Sequence, residues 1–186
     1  MNLWSLPARV PVKLFFAIRP DDAAGAEIES LAGRLKRAHR LTGRPIDRAR
    51  LHNTLAEVHD TGTLTENIAR AKAIGDRLWQ RSFSVCFDWT ASFQHKDNRH
   101  PFVLRGEGSP LRDFRATLRD EMLREGFAVE RGFTPHVTLL WADRRVDEDY
   151  PVAPIAWTVR HFVLTASLQG YSHHIEVARW PLQESA

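Results

Sequence analysis

Two triplets of the same kind stand far apart in the chain, His52-Asn53-Thr54 and His136-Val137-Thr138. In an extended strand, residues two apart project from one face, so each triplet sets an imidazole beside a hydroxyl. Histidine gives or takes a proton near neutral pH, and a threonine hydroxyl can donate a hydrogen bond to an anionic oxygen. Two such pairs match the needs of cyclic phosphodiester hydrolysis. One group removes a proton from attacking water, and the other protonates the departing ribose oxygen on the far side of phosphorus. Donors placed on the non-bridging oxygens would stabilise the charge that grows in the transition state, without any metal.

Composition alone yields such triplets. Nine histidines and eleven threonines in 186 residues give about half a His-x-Thr by chance, and two copies arise in about one random chain in ten. The pair gains weight from its placement, because both copies fall in segments that read as strands.

The elements that must carry them are legible as follows. Val12 to Ile18 alternates as a strand, and Pro20-Asp21-Asp22 opens a helix whose apolar stripe is Ile28, Leu31, Leu35 and Ala38. Gly43-Arg44-Pro45 ends that unit, and a second strand runs from about Leu51 to Val58. After a turn at Asp60-Thr61-Gly62, Leu64, Ile68, Ala71 and Leu78 mark a second helix, with Thr63 or Thr65 as its cap. Strands follow at Ser82 to Trp89 and Pro101 to Arg105, with a polar loop at Lys96-Asp97-Asn98-Arg99. Ser109-Pro110 reads as an N-cap followed by proline, with a third helix to about Glu125. The last third holds a strand at His136 to Trp141 and two long strands, Ile155 to Leu168 and Tyr171 to Arg179, joined at Gly170. Helices mixed with hairpin-paired strands predict an α+β fold. The order strand, helix, His-x-Thr strand occurs early and recurs late, which predicts two similar lobes.

The chain has the length of one domain, 1–186, with an irregular extension over 1–10. A hydrophobic share of 43% and a charged share of 26% are those of an ordinary folded protein. Cys86 is the single cysteine, which excludes an internal disulfide and a thiolate metal cluster within one chain. No apolar run approaches the roughly 18 residues of a membrane span, and residues 1–9 lack a signal-peptide pattern, so the expected location is the cytoplasm, without membrane contact. The net charge is only +3, but Arg34, Lys36, Arg37, Arg40, Arg44, Arg48 and Arg50 face Asp47 alone, a pattern suited to a polyanion or to a solvated helix face. His173 and His174 are neighbours in a strand and point to opposite faces, which argues against a metal site; Gly106-Glu107-Gly108 lacks the spacing of a phosphate-binding loop. Phe15, Phe93 and Tyr171 are aromatics able to line a nucleobase pocket, although strand aromatics more often serve the core.

Beyond the triplets, the chain resembles the 2H phosphoesterases, in particular the RNA 2′,3′-cyclic phosphodiesterases also called 2′-5′ RNA ligases. The resemblance is carried by Leu14-Phe15-Phe16-Ala17-Ile18 with Pro20, by Arg50-Leu51-His52-Asn53-Thr54-Leu55, and by Phe133-Thr134-Pro135-His136-Val137-Thr138-Leu139. It closes with Phe162-Val163-Leu164 leading to Ser167-Leu168, a downstream tyrosine, and Arg179-Trp180-Pro181-Leu182. It implies a bilobal fold in which two antiparallel sheets form a central cleft with helices packed outside. It also implies a site with neither metal nor cofactor. Within it His52 is the acid that protonates the leaving oxygen, His136 is the base that acts on water, and Thr54 and Thr138 hold the phosphate. The implied substrate is RNA with a 2′,3′-cyclic phosphate end, tRNA fragments among them, the product is a 2′-phosphate end, and the reverse reaction is 2′-5′ ligation by a monomer.

Two residues depart from the family pattern. Asn53 replaces a usually apolar residue and is expected to matter for packing. Trp141 stands where an arginine is usual; strict alternation sends it away from His136 into the core unless a bulge turns it, in which case base stacking would replace the arginine contact. Two other readings keep the same residues: a phosphodiesterase for small cyclic nucleotides or ADP-ribose cyclic phosphates, and a non-catalytic nucleotide- or RNA-binding module.

Overall fold

The computed structural model describes residues 11–59, 62–94 and 99–184. The expected extension over 1–10, part of the turn at 60–62 and the polar loop at 96–98 lie outside them. The elements run β1 (Val12–Ile18), α1 (Asp22–Ala38), β2 (Asn53–Val58), α2 (Leu64–Arg77), β3 (Phe83–Ser92), β4 (His100–Glu107), α3 (Ser109–Arg124), β5 (His136–Ala142), β6 (Tyr150–Val159), β7 (His161–Leu168) and β8 (His173–Pro181). The helices start where their caps dictate. The Asp21 side chain accepts from the Ala24 N–H at 2.9 Å, and Thr63 with Glu66 forms a reciprocal capping box. Helix α3 is capped at Gly108, one residue before the expected Ser109. A short 3-10 turn at Arg48–Arg50, absent from the sequence reading, leads into β2.

Two four-stranded antiparallel sheets result, in the orders β2-β1-β7-β8 and β5-β4-β3-β6. They repeat one plan. In each, a strand and a helix lead to a His-x-Thr strand, and that strand is the outermost of its sheet. The apolar run expected as one strand from Ile155 to Leu168 is split: β6 pairs with β3 in the second sheet, the chain crosses at Arg160, and β7 pairs with β1 in the first. No glycine, proline or turn pair stands at the crossing, only Arg160-His161, so the sequence carries no turn signal there.

Helix α1 packs on β5 and β6, and α3 packs on β2 and β3, so each helix covers strands beyond its own hairpin. One continuous core, including Phe16, Ile28, Leu55, Phe87, Phe102, Leu104, Phe114 and Phe162, fills this side of both sheets. Phe15, Ala17 and Val163 form a separate buried patch on the other face of the first sheet, the face that carries His52. Among the described residues no helix is long and apolar enough to cross a membrane.

The sheets touch where the edges β2 and β5 meet. Asn53 is fully buried there, and its Oδ1 accepts the backbone N–H of His136 at 2.8 Å. Further along β5 the loop after α1 closes the exposed edge: Ile46 N–H donates to the Leu139 carbonyl at 2.8 Å, and Pro45 bridges to Leu140. Gly43 permits that approach. Its φ is +78°, and a Cβ on it would lie 2.2 Å from the Trp141 carbonyl oxygen.

Replacing Asn53 by leucine leaves the buried His136 N–H without its acceptor. The expected loss is about 1–3 kcal/mol of unfolding free energy, measured by urea titration with an unchanged m-value.

Candidate functional site

Each motif histidine is anchored in the same way. His52 Nδ1 lies 2.6 Å from the Arg50 carbonyl, and His136 Nδ1 lies 2.7 Å from the Thr134 carbonyl. A carbonyl can only accept, so in both rings Nδ1 carries the proton and Nε2 is left to face outward. An aromatic ring fixes each plane: Phe15 stacks on His52 with centroids 4.8 Å apart, and Phe93 meets His136 edge-on at 4.9 Å. The sequence names both phenylalanines as able to line a nucleobase pocket, with core the more frequent role of a strand aromatic; their place against the two imidazoles comes from the structure.

The two motifs come together through the joint at Asn53. The residue beside His52 bonds the backbone of His136, and the two rings are near enough that charge on His136 depresses the pKa of His52. A cavity of about 450 Å³ is shared between the lobes, lined by Thr54 from one motif and His136 from the other, with Glu57, Arg115, Glu130 and Phe133. Thr138 is half-buried two residues beyond His136 on the same strand, as Thr54 is beyond His52. The cavity thus takes one expected residue from each motif, Thr54 and His136, while His52 adjoins the joint through Asn53.

Burial pushes the His52 pKa down to about 4, against the Arg50 carbonyl bond that raises it, with Arg19, His136 and Arg50 adding to the fall. His136 is also lowered, first by burial and then by Arg105, its cross-strand neighbour on β4. Both imidazoles are neutral in the empty cleft at pH 7.

A third imidazole joins them. The His174 ring meets His52 edge-on at 5.2 Å and Phe15 at 5.6 Å, and burial, followed by repulsion from His52, Arg50 and Arg19, lowers its pKa to about 3. Sequence reasoning weighed His174 only as a metal ligand; what places it is the β7–β8 register, which no local pattern encodes. Tyr171, by contrast, is 58% exposed in the turn between those strands.

Of the basic cluster, Arg48 is bonded to Glu29 at 2.8 Å and Arg44 to Asp47 at 3.2 Å. Arg50 differs: it acts on both His52 and His174, and its Nε is buried without a hydrogen-bond partner among the described residues. Arg19, held between Glu176 at 3.2 Å and the Thr165 hydroxyl at 3.5 Å, is the second cation acting on these rings.

Trp141 corrects strict alternation. The pairing of β4 with β5 steps from Phe102↔Leu140 to Val103↔Thr138, so Leu139 is an extra residue in β5. Leu139 and Leu140 are both fully buried, and Trp141 comes round, half-buried, to the face of His136 and Thr138. The Arg99 guanidinium lies over its ring at 5.7 Å.

The depressed histidines link pH to stability. A group whose folded pKa lies below its unfolded value binds more protons when unfolded, so stability is full above about pH 6.5 and falls as pH drops toward 4. Replacing His174 by phenylalanine should flatten that slope: the melting-temperature gap between pH 7 and pH 4.5 is smaller in the variant than in the wild type.

The comparisons agree with this geometry. No curated protein matches the chain in sequence. A solved phosphoesterase is 27% identical with a TM-score of 0.69, covering 93% of this chain and 99% of that one. LigT of E. coli, crystallised with 3′-AMP, is 28% identical with a TM-score of 0.69, covering 92% and 98%. TT0787 of Thermus thermophilus shares the fold at a TM-score of 0.73 and 18% identity, covering 94% and 100%. The family model described as the 2′-5′ RNA ligase superfamily matches residues 20–170. With its two His-x-Thr strands on the edges of paired antiparallel sheets, the chain belongs to the 2′-5′ RNA ligase superfamily, the 2H phosphoesterases.

Proposed function

We propose that this chain is a hydrolase of RNA 2′,3′-cyclic phosphate ends, producing 2′-phosphate ends within one bilobal domain and needing neither metal nor cofactor. Membership of the superfamily supports an enzyme acting on phosphodiester bonds. The observation that carries the finer reading is the matched anchoring of the two imidazoles, with each Nδ1 bound to a carbonyl two residues back and each Nε2 left for substrate. That LigT was crystallised with 3′-AMP supports a nucleoside phosphate as ligand.

The steps follow from these groups. The cyclic phosphate binds between the motifs, where the Thr54 and Thr138 hydroxyls donate to its non-bridging oxygens. Arg19 and Arg50 on one side and Arg105 on the other supply positive potential. The anion reverses the electrostatics of the empty cleft and favours the imidazolium of His52. His136 Nε2 takes a proton from water as the water oxygen bonds to phosphorus. The bond from phosphorus to the ribose 3′-oxygen breaks, and that oxygen leaves with the proton of His52 Nε2. The products are a 2′-phosphate and a free 3′-hydroxyl. With a 5′-hydroxyl in place of water, the same groups would form a 2′-5′ linkage.

The test is turnover of a short RNA ending in a 2′,3′-cyclic phosphate, in chelator. His52→Ala and His136→Ala should each lower kcat by about 10²–10⁴-fold. Retained turnover in either variant removes that histidine from its role.

The productive free enzyme has His52 protonated and His136 neutral. With both pKa values below 6.5, kcat/KM should peak on the acid side of pH 6.5 and fall about tenfold per pH unit between 7 and 8.5. A pH–rate profile that rises over that interval contradicts the assignment of acid and base.

A further inference from the structure

Two bulges, not one, turn a tryptophan onto the wall that carries His136. In β3 the residues Phe83, Val85 and Phe87 point into the core, and unbroken alternation would send Trp89 after them. Instead the pairing with β4 steps from Phe87↔Gly106 to Trp89↔Arg105, leaving Asp88 as the extra residue. Thr90 takes the buried place at 0% exposure, and Trp89 emerges at 40%. Arg105 is opposite both Trp89 on β3 and His136 on β5, so the three form a row across the sheet. At roughly 4.8 Å per strand, Trp89 stands about 10 Å to one side of His136. Trp141 stands on β5 itself, further along the strand from His136, with the Arg99 guanidinium against its ring.

Two large aromatics brought out of the core by irregularities, one across the sheet from His136 and one along its strand, are not explained by packing. The core already has Phe87, Phe102 and Leu104 there, all with 0% exposure. We infer that Trp89 and Trp141 form a stacking rail for single-stranded RNA, each taking a base of the strand upstream of the terminal nucleotide whose phosphate lies at His136. The inference rests on the reading of the site as one for RNA ends and names how the strand beyond the reacting group is held.

The surroundings of each ring fit that occupant. Arg105 and Arg99 lie on the same wall as the two indoles, the interleaving of cation and aromatic that suits a nucleic-acid strand. Beside Trp89 is a cavity of about 370 Å³ lined by Asp88, Trp89, Arg105, Gly106 and Glu107. Its two carboxylates repel a phosphate and accept hydrogen bonds from base amino groups, so the cavity takes the base while the backbone stays near Arg105. Asp149, 3.5 Å from Arg105, holds that guanidinium at the mouth of the cavity. The face of the first sheet at the junction is differently made: it carries Phe15 packed on His52, with His174, Arg19 and Glu176.

The experiment measures binding apart from turnover. The probe is a fluorescein-labelled RNA hexamer ending in a 2′-phosphate, titrated by anisotropy against the wild type, Trp89→Ala, Trp141→Ala, the double variant, and Trp89→Phe with Trp141→Phe. Each alanine should weaken Kd about tenfold, and the phenylalanines should retain most of the affinity. A matched hexamer with abasic sugars outside the terminal nucleotide should bind the wild type and the double alanine variant alike. Turnover of a mononucleoside 2′,3′-cyclic phosphate, which has one base only, should change less than threefold in either single variant. Unchanged hexamer binding in the double variant overturns the rail, as does an equal loss for the abasic hexamer, which would show a fold or charge effect. Wild-type protein that binds the hexamer through its tryptophans but hydrolyses no cyclic phosphate would leave the rail standing and remove the proposed reaction.

Discussion

The site depends on one hydrogen bond that crosses between two sheets. Neighbouring residues of a strand face opposite ways, so the position between His52 and Thr54 is turned from the cleft toward the other sheet's edge. Asn53 uses it to accept the backbone N–H of His136. An apolar residue there would pack equally well, yet would leave a buried donor at the entry to the second motif strand. The amide thus sets the spacing of two imidazoles that are 84 positions apart in the chain. Everything else around them, the carbonyl anchors and the aromatic faces, is local to each lobe and could not align the pair.

Burial and positive charge then set the chemistry. His52, His136 and His174 all titrate below the ordinary imidazole range, because each is withdrawn from water and faces cations or other imidazoles. Such a cleft resists a proton while empty and favours one when an anion enters, which in the proposed reaction would couple protonation of His52 to occupancy by phosphate. Arg50 is central to this coupling. Its carbonyl orients His52, its charge lowers both His52 and His174, and its buried Nε has a donor to offer. The arginines preceding it, Arg44 and Arg48, are already paired with carboxylates and shape the loop that closes the β5 edge.

Much of this was legible beforehand and some was not, for physical reasons. Amphipathic periodicity marked the three helices, and Val12–Ile18, Asn53–Val58 and His136–Ala142 carry clear strand patterns, so the motif strands and their repeated plan were found from residues alone. The crossing at Arg160 was missed because β6 and β7 both have strand composition and no turn residue separates them at Arg160-His161. Asn53 was read as a packing residue because its acceptor role appears only when β5 lies beside it. His174 and Phe93 reach the histidines through strand register, a long-range property. The bulges at Asp88 and Leu139 are decided by how each strand fits its partner, and period-two reasoning fails at that point.

The bulges also explain how two lobes built on one plan came to do different work. In β2 the pairing with β1 steps from Phe16↔Ala56 to Ala17↔Thr54, leaving Leu55 as the extra residue directly after the threonine, just as Leu139 follows Thr138 in β5. Each bulge returns the fifth residue after its histidine to the face of the motif. In the first lobe that residue is Glu57, paired with Lys13 at 3.8 Å; in the second it is Trp141, under Arg99. A carboxylate repels the substrate's backbone where an indole and a guanidinium attract it. On the proposed reading the RNA strand lies along the second sheet, past Trp141 and Trp89, while the first sheet, with His174, Arg19 and Arg50 around His52, sets the protonation of the acid and His136 acts as the base. An irregularity shared by both lobes thus gives one set of positions two uses, and the side chain placed there decides which.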